Sequence, residues 1–296
     1  MRLKCDRCAG DRLIRLYNTI LEQRVLTMDL NFVSLPQTTI NVVYSSVDLP
    51  QLQSPYLICG FPGTGYVGKI AIDHLIQELN AKRLADIYSS SFPDQIMIRT
   101  DGVAELIKNT IFYSKASNSS SNDVILLTGD SQAISPESEY LLAEQILDIS
   151  AKFNTKKVFT LAASVTGVFV DKPRVFGTAT NSDIVRTFSE KNILTMNSGS
   201  VVGMNGLIIG IAKLRGMQGT CLLGETSGYV VDAKASKSIL ERLLSVVDIK
   251  VDLTDLEKKV KDTEMLIQTI QQQVAERALQ GQQPGVLRKP DIGYIA

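Results

Sequence analysis

Apolar residues along this chain fall into two kinds of pattern. Short, nearly continuous runs rich in β-branched and aromatic residues alternate with longer stretches in which apolar positions recur every three or four residues. The runs Ile40–Val47, Tyr56–Phe61, Leu84–Ser89, Asp123–Thr128, Lys157–Ala163, Arg174–Thr178 and Thr220–Leu223 predict strands. The stretches Tyr66–Leu79, Glu137–Phe153 and Ala233–Val247 predict amphipathic helices; a further helix is capped by Asn181 or Ser182, and the glycine-punctuated run Gly199–Gly210 enters another. Between them, Gln95–Ser114 predicts paired short strands around the turn dipeptide Asp101-Gly102, and Asn118–Asn122 a polar loop. Alternation of strands with helices predicts a parallel-rich sheet in one layered α/β/α domain over residues 31–250.

The periodicity changes after that domain. Leu253, Leu256, Val260, Thr263, Ile267, Ile270 and Val274 follow one another at alternating intervals of three and four, a heptad seam within a predicted C-terminal helix over 251–280. The seam carries no charge, whereas four basic and six acidic residues of Asp252–Gln280 lie off it. Such a helix docks on its own domain or forms a coiled coil, and the pattern alone leaves both open. Residues 281–296 predict a flexible tail: glycines, prolines and polar residues up to Pro290, then the apolar ending Ile292-Gly293-Tyr294-Ile295-Ala296. At the other end, residues 1–30 are a leader expected to be disordered or a misannotated extension, since Met28 offers an alternative start.

Composition narrows the function classes. Among 296 residues, 44% are hydrophobic, enough for a sizeable core. Lysine plus arginine and aspartate plus glutamate each number 31, so no net field draws in nucleic acid or an anionic membrane. Cys5, Cys8, Cys59 and Cys221 are too few and scattered for a disulfide framework. With no apolar stretch approaching the roughly 18 residues of a membrane span, a cytoplasmic protein is expected.

Chemistry-bearing motifs do not assemble into a catalytic centre. Gly60-Phe-Pro-Gly63-Thr-Gly65-Tyr-Val-Gly68-Lys69 follows a predicted strand and opens a helix, so Gly63, Gly65, Gly68 and Lys69 fit a phosphate-binding turn, with Asp86 near a ribose. The magnesium-binding hydroxyl is missing, because Ile70 follows Lys69, and Asp130 is a poor second carboxylate. The alternative use of these glycines is structural, packing helix tightly on strand. Gly129-Asp130-Ser131-Gln132-Ala133 resembles a nucleophile elbow, but the sole histidine, His74, lies upstream, the wrong order for an α/β-hydrolase. Cys5-x-x-Cys8 has no second pair to complete a zinc site. Carboxylates such as Glu137, Glu139 and Glu225 are spread over ordinary helix-start and loop positions. No catalytic residue, metal or cofactor is expected.

The glycine turn, the Gly129-Asp-Ser-Gln strand end, Val202-Gly-Met-Asn-Gly-Leu-Ile-Ile-Gly210, and Cys221-Leu-Leu-Gly-Glu-Thr-Ser-Gly-Tyr229 followed by Asp232, Ala235 and Val251-Asp252 together resemble the proteasome assembly chaperone family, in its archaeal form, over about residues 31–275. The resemblance implies a phosphorylase-like three-layer α/β/α sandwich used as an ATP-independent protein-binding scaffold. It also implies a homo-oligomer whose C-terminal tails, ending in a hydrophobic-tyrosine-any motif, enter pockets between α-subunits of the proteasome core particle. Here Tyr294 is third from the end and Ile295 penultimate, so the expected contact residues are Ile292, Tyr294, Ile295 and Ala296, shifted by one position. The contrasting expectation is a nucleotide-binding enzyme or sensor built on residues 60–69.

Overall fold

In the computed structural model, which describes residues 38–116 and 122–279, the predicted runs form strands, the central ones buried on both faces and the edge strand from the Ile40–Val47 run alternating half-buried and exposed positions. Eleven strands form among the described residues. They are β1 (Ile40–Tyr44), β2 (Tyr56–Gly60), β3 (Lys82–Ser89), β4 (Ile96–Ile98), β5 (Ala104–Leu106), β6 (Asn109–Ser114), β7 (Val124–Gly129), β8 (Lys157–Val165), β9 (Val175–Ala179), β10 (Leu194–Thr195) and β11 (Gln218–Thr226). The helices are α1 (Val67–Glu78), α2 (Pro136–Ala151), α3 (Ser182–Arg186), α4 (Met204–Leu214), α5 (Ala233–Val247) and α6 (Thr254–Leu279).

Nine strands make one sheet in the order β1-β3-β6-β7-β2-β8-β11-β9-β10. Its centre, β7-β2-β8-β11, is parallel. The flank β1-β3-β6 is antiparallel, β6 meets β7 antiparallel, and β9 runs against β11. The expected parallel-rich sheet is therefore mixed, with equal numbers of parallel and antiparallel pairings. The reason lies in Gln95–Ser114. Only β4 and β5 pair around Asp101-Gly102, as a separate two-stranded sheet, while β6 inserts between β3 and β7.

Side chains of the central strands alternate between two cores. Leu57 and Cys59 of β2, Ile125 and Leu127 of β7, and Val158 of β8 face a cluster with Leu142 and Ile146 of α2 and Met204 and Ile208 of α4. Ile58, Leu126, Phe159 and Leu161 face the other, with Ile72 and Leu75 of α1 and Ile239 and Leu243 of α5. Burial on both sides is why these strands read as continuous apolar runs. Helix ends follow from local chemistry: the Ser135 hydroxyl accepts from the Ser138 N–H with Pro136 at the first turn of α2, Asn181 caps α3, and Asp232 caps α5 through the Ala235 N–H at 2.9 Å.

The heptad seam divides. Leu256 is fully buried against the α5 side, Leu253 and Val260 pack around it, and Thr263 is buried. Beyond, Ile267 is half-buried and Met265 and Leu266 are exposed, and the side chains of Ile270 and Val274 lie outside those described. The first turns of α6 thus dock on their own domain. His74 of α1, buried, holds the approach to α6 with its Nε2 donating to the Asp252 carbonyl at 2.7 Å. The described residues from Thr39 onward belong to one compact unit. The leader and the 281–296 tail lie outside the described residues.

Candidate functional site

The glycine-rich turn connects β2 to α1 through a single 3-10 turn, Thr64–Tyr66. Gly65 takes φ +64°, a left-handed conformation that favours glycine, and its carbonyl accepts from the Asp232 N–H at 2.8 Å. A Cβ on Gly68 would stand 2.1 Å from the Leu161 carbonyl oxygen, so glycine at this position lets α1 lie directly on β8. Gly65 and Gly68 thus do structural work of the kind the packing alternative describes, whereas a Cβ at Gly63 would meet only Gln132 Nε2, at 3.9 Å.

The helix after β2 covers one face of the sheet and the helix after β7 the other, although these strands are neighbours. A crevice opens outside the carboxyl ends of strands where crossovers diverge in this way. Here it measures about 210 Å³ and lies between Phe61–Gly68, the ends of β8 and β11, and Ser200–Asn205 at the start of α4. Gln132 spans it: its Nε2 donates to the Pro62 carbonyl at 2.8 Å and its Oε1 accepts from the Met204 N–H at 3.1 Å. Among the described residues, no charged side chain lines the crevice. Asn205, buried on its wall, leaves its carboxamide oxygen without a hydrogen-bond partner among the described residues. Glu139 lies near Gly203, and burial pushes its carboxyl above the ordinary value.

Of the proposed phosphate-binding residues, Gly63 and Gly68 border this crevice and Lys69 does not. Lys69 Nζ pairs with Asp73 at 2.5 Å, one helical turn along α1, and faces a second cleft. That cleft, about 420 Å³, gathers Lys69, Arg83, Arg99 and Lys108 with Asp73 and Asp130. Asp86, fully buried, lies beneath it and accepts from Arg83, from Lys108 Nζ at 3.2 Å, from Thr110 Oγ1 at 3.1 Å and from the Tyr88 hydroxyl at 3.2 Å. Its carboxylate is committed within the protein. The hydrogen bond from Arg99, then that from Lys108, holds Glu105 below the usual carboxylate range. Ser131 donates to the Gln132 carbonyl, and His74 is engaged by Asp252. Among the described residues no cluster of histidine, cysteine and carboxylates could hold a metal ion. Cys5, Cys8 and the tail residues Ile292, Tyr294, Ile295 and Ala296 lie outside the described residues.

An apolar surface adjoins the glycine turn. Val165, Val168 and Tyr229 are each more than half exposed, as is Val231, and Tyr66 is 41% exposed. The Phe169 and Tyr229 rings lie 6.2 Å apart, and the Cβ position of Gly228 is 3.0 Å from Val165 and 3.1 Å from Thr64, which places these residues together at the ends of β8 and β11. Contiguous exposed aromatic and aliphatic surface of this kind marks sites of protein–protein contact. Sequence reasoning missed it because single exposed valines carry no periodic signal. It also missed Gln132 and Asn205, although both stand inside glycine-bearing segments that were singled out.

A model of the PAC2 family matches residues 57–271. An uncharacterized protein of Methanocaldococcus jannaschii is 31% identical over 249 residues, 84% of this chain and 95% of its own length. Among solved structures, Pyrococcus furiosus PbaB, described as an archaeal proteasome activator, is 36% identical with a TM-score of 0.73, covering 80% of this chain and all of its own. Pyrococcus furiosus PbaA, described as an archaeal homolog of proteasome-assembly chaperone, is 25% identical with a TM-score of 0.65, covering 81% of this chain and 95% of its own. No helix of the described residues is long and apolar enough to cross a membrane.

Proposed function

The chain belongs to the PAC2 family, and from that premise we propose that it is a non-catalytic, ATP-independent binding protein that assists assembly of the proteasome core particle, or caps and activates it. The likeness to PbaB over the whole of that chain carries this reading. The exposed apolar surface around Val165, Phe169 and Tyr229 supports a protein-binding role, since it offers aromatic and aliphatic contact area. Contact with the core's α-subunits is assigned to Ile292, Tyr294, Ile295 and Ala296 on a polar linker. A single short tail binds weakly because ordering it is unfavourable, so a homo-oligomer presenting several tails gains avidity. The protein works in the cytoplasm.

The test is a binding titration of the full-length protein against purified proteasome core, beside a version truncated after Asp291. Saturable binding that disappears with the truncation supports both partner and contact. Equal binding by the two versions moves the contact to the folded domain, and failure of both overturns the proteasome reading.

A further inference from the structure

We propose that the exposed apolar face at the carboxyl ends of β8 and β11 is the docking site, within the same chain, of the tail end Ile292-Gly293-Tyr294-Ile295-Ala296. Docking in cis does not depend on the proteasome reading, since it needs no second protein.

The first observation is the face itself. Val165, Val168, Tyr229 and Val231 are each more than half exposed. A Cβ on Gly167 would stand 3.8 Å from the Tyr229 hydroxyl, and one on Gly228 3.0 Å from Val165, so the two loops that carry the face adjoin. Neither Val165–Val170 nor Thr226–Val231 contains a charged residue. Exposed surface of this composition fits an uncharged, apolar partner.

The second observation is the course of α6. Lys237 of α5 pairs with Glu257 at 2.8 Å and Lys234 with Glu264 at 2.7 Å, so α6 runs antiparallel to α5, toward the α5 N-terminus. That terminus, capped by Asp232, directly follows Tyr229 and Val231. The chain is therefore carried to the end of the domain where the apolar face lies. Past Glu264, α6 continues to Leu279 with Met265, Leu266, Gln268, Thr269, Gln272 and Gln273 all exposed. That stretch of helix is about 22 Å long. Residues 280–291 follow it in the sequence, and a linker of that length spans up to roughly 40 Å when extended. The tail end is thus within reach of the face.

The third observation is composition. Ile292–Ala296 holds one tyrosine, two isoleucines and no charged side chain, whereas Arg288, Lys289 and Asp291 lie in the linker. An apolar segment loses nothing on entering an uncharged face, where a charged one would give up its hydration without a partner. Tethering places the tail at the face at an effective concentration on the order of millimolar, so a weak contact is enough to hold it. A partner that binds the tail more strongly would displace it and uncover the face.

Hydrogen exchange of the full chain, beside a version truncated after Asp291, tests this. Amides of residues 167–169 and 228–231 should exchange at least about fivefold more slowly in the full chain, at every protein concentration. A synthetic peptide of residues 284–296 should bind the truncated version saturably, one per chain, and the full chain at least about tenfold more weakly, because the tethered segment competes. Tyr229→Asp, at a 61% exposed position, should abolish both effects while melting temperature reports that the variant is folded, and Val165→Asp, at a 57% exposed position, repeats the test on the neighbouring loop. Equal exchange in the two versions, no binding of the peptide to the truncated one, or effects that survive both substitutions overturn the proposal. So does protection that grows with protein concentration, which assigns the face to a second copy of the chain.

Discussion

Beside the loop after β7, Gln132 reaches into a crevice whose walls carry no charge, while Asp130 borders a cleft where Lys69, Arg83, Arg99 and Lys108 meet carboxylates. In the ionic cleft the carboxylates Asp73, Asp86, Glu105 and Asp130 are all paired with those cations. In the neutral crevice, Gln132 is satisfied at both ends and Asn205 is not. Removing a charge from water is so unfavourable that buried ions persist only when matched from within. The ionic cleft has therefore used its polar capacity within the fold, joining β3 to Lys108 and to Thr110 of β6 through Asp86. The glycine–lysine spacing that singled out Lys69 in the sequence does not determine which cavity that lysine faces.

The largest effect should come from Asp86→Ala. It leaves Lys108 and Arg83 without their buried partner and removes the acceptor for Thr110 and Tyr88. Urea denaturation should show a loss of about 3 kcal/mol, and a loss below about 1 kcal/mol would mean that the cleft is not a structural clamp.

A smaller effect sharpens the same contrast at the far side of the sheet. Glu225 of β11, 3% exposed, accepts from Arg174 Nε at 2.9 Å and from the Arg174 backbone N–H at 3.1 Å. The Arg174 side-chain hydrogen bond, aided by that N–H, holds the carboxyl below its ordinary value of 4.5 against the opposing effect of burial. Because the folded-state pKa is depressed, the stabilisation is present above pH 4.5 and is lost as pH falls through the folded value. Thermal melting as a function of pH should show this acid limb, and Glu225→Gln should make it shallower. A limb of unchanged slope would remove Glu225 from the account.

The smallest effect is predicted for Lys69→Ala. Its pair with Asp73 is partly exposed on both sides, so stability should change by less than about 1 kcal/mol in the same urea measurement. A loss well above that would mean that the exposed pair, too, clamps the fold and would erase the distinction between it and the buried Asp86 cluster.

The type and order of the elements were legible along the chain because they rest on local physics. β2, β7 and β8 read as strands because their apolar runs have no polar face, and α5 appeared with its observed bounds because Asp232 caps a clean amphipathic stripe. The glycines of the turn were equally visible, and so was the family resemblance, which depends on the order of such segments. Other features depended on partners distant in sequence, and only the tertiary structure decided them. The β6 strand could have continued the hairpin of β4 and β5, but finds its hydrogen bonds between β3 and β7. The start of the heptad seam docks on its own domain because α5 offers Leu256 an apolar seat. Lys69 looked like a phosphate ligand until Asp73, one turn away, claimed its charge. Asn205 was an ordinary residue in a glycine-rich run until folding carried it, unpartnered, to the wall of a crevice. A sequence displays what each segment prefers, but whether a polar group is satisfied is a property of the neighbours that folding brings to it.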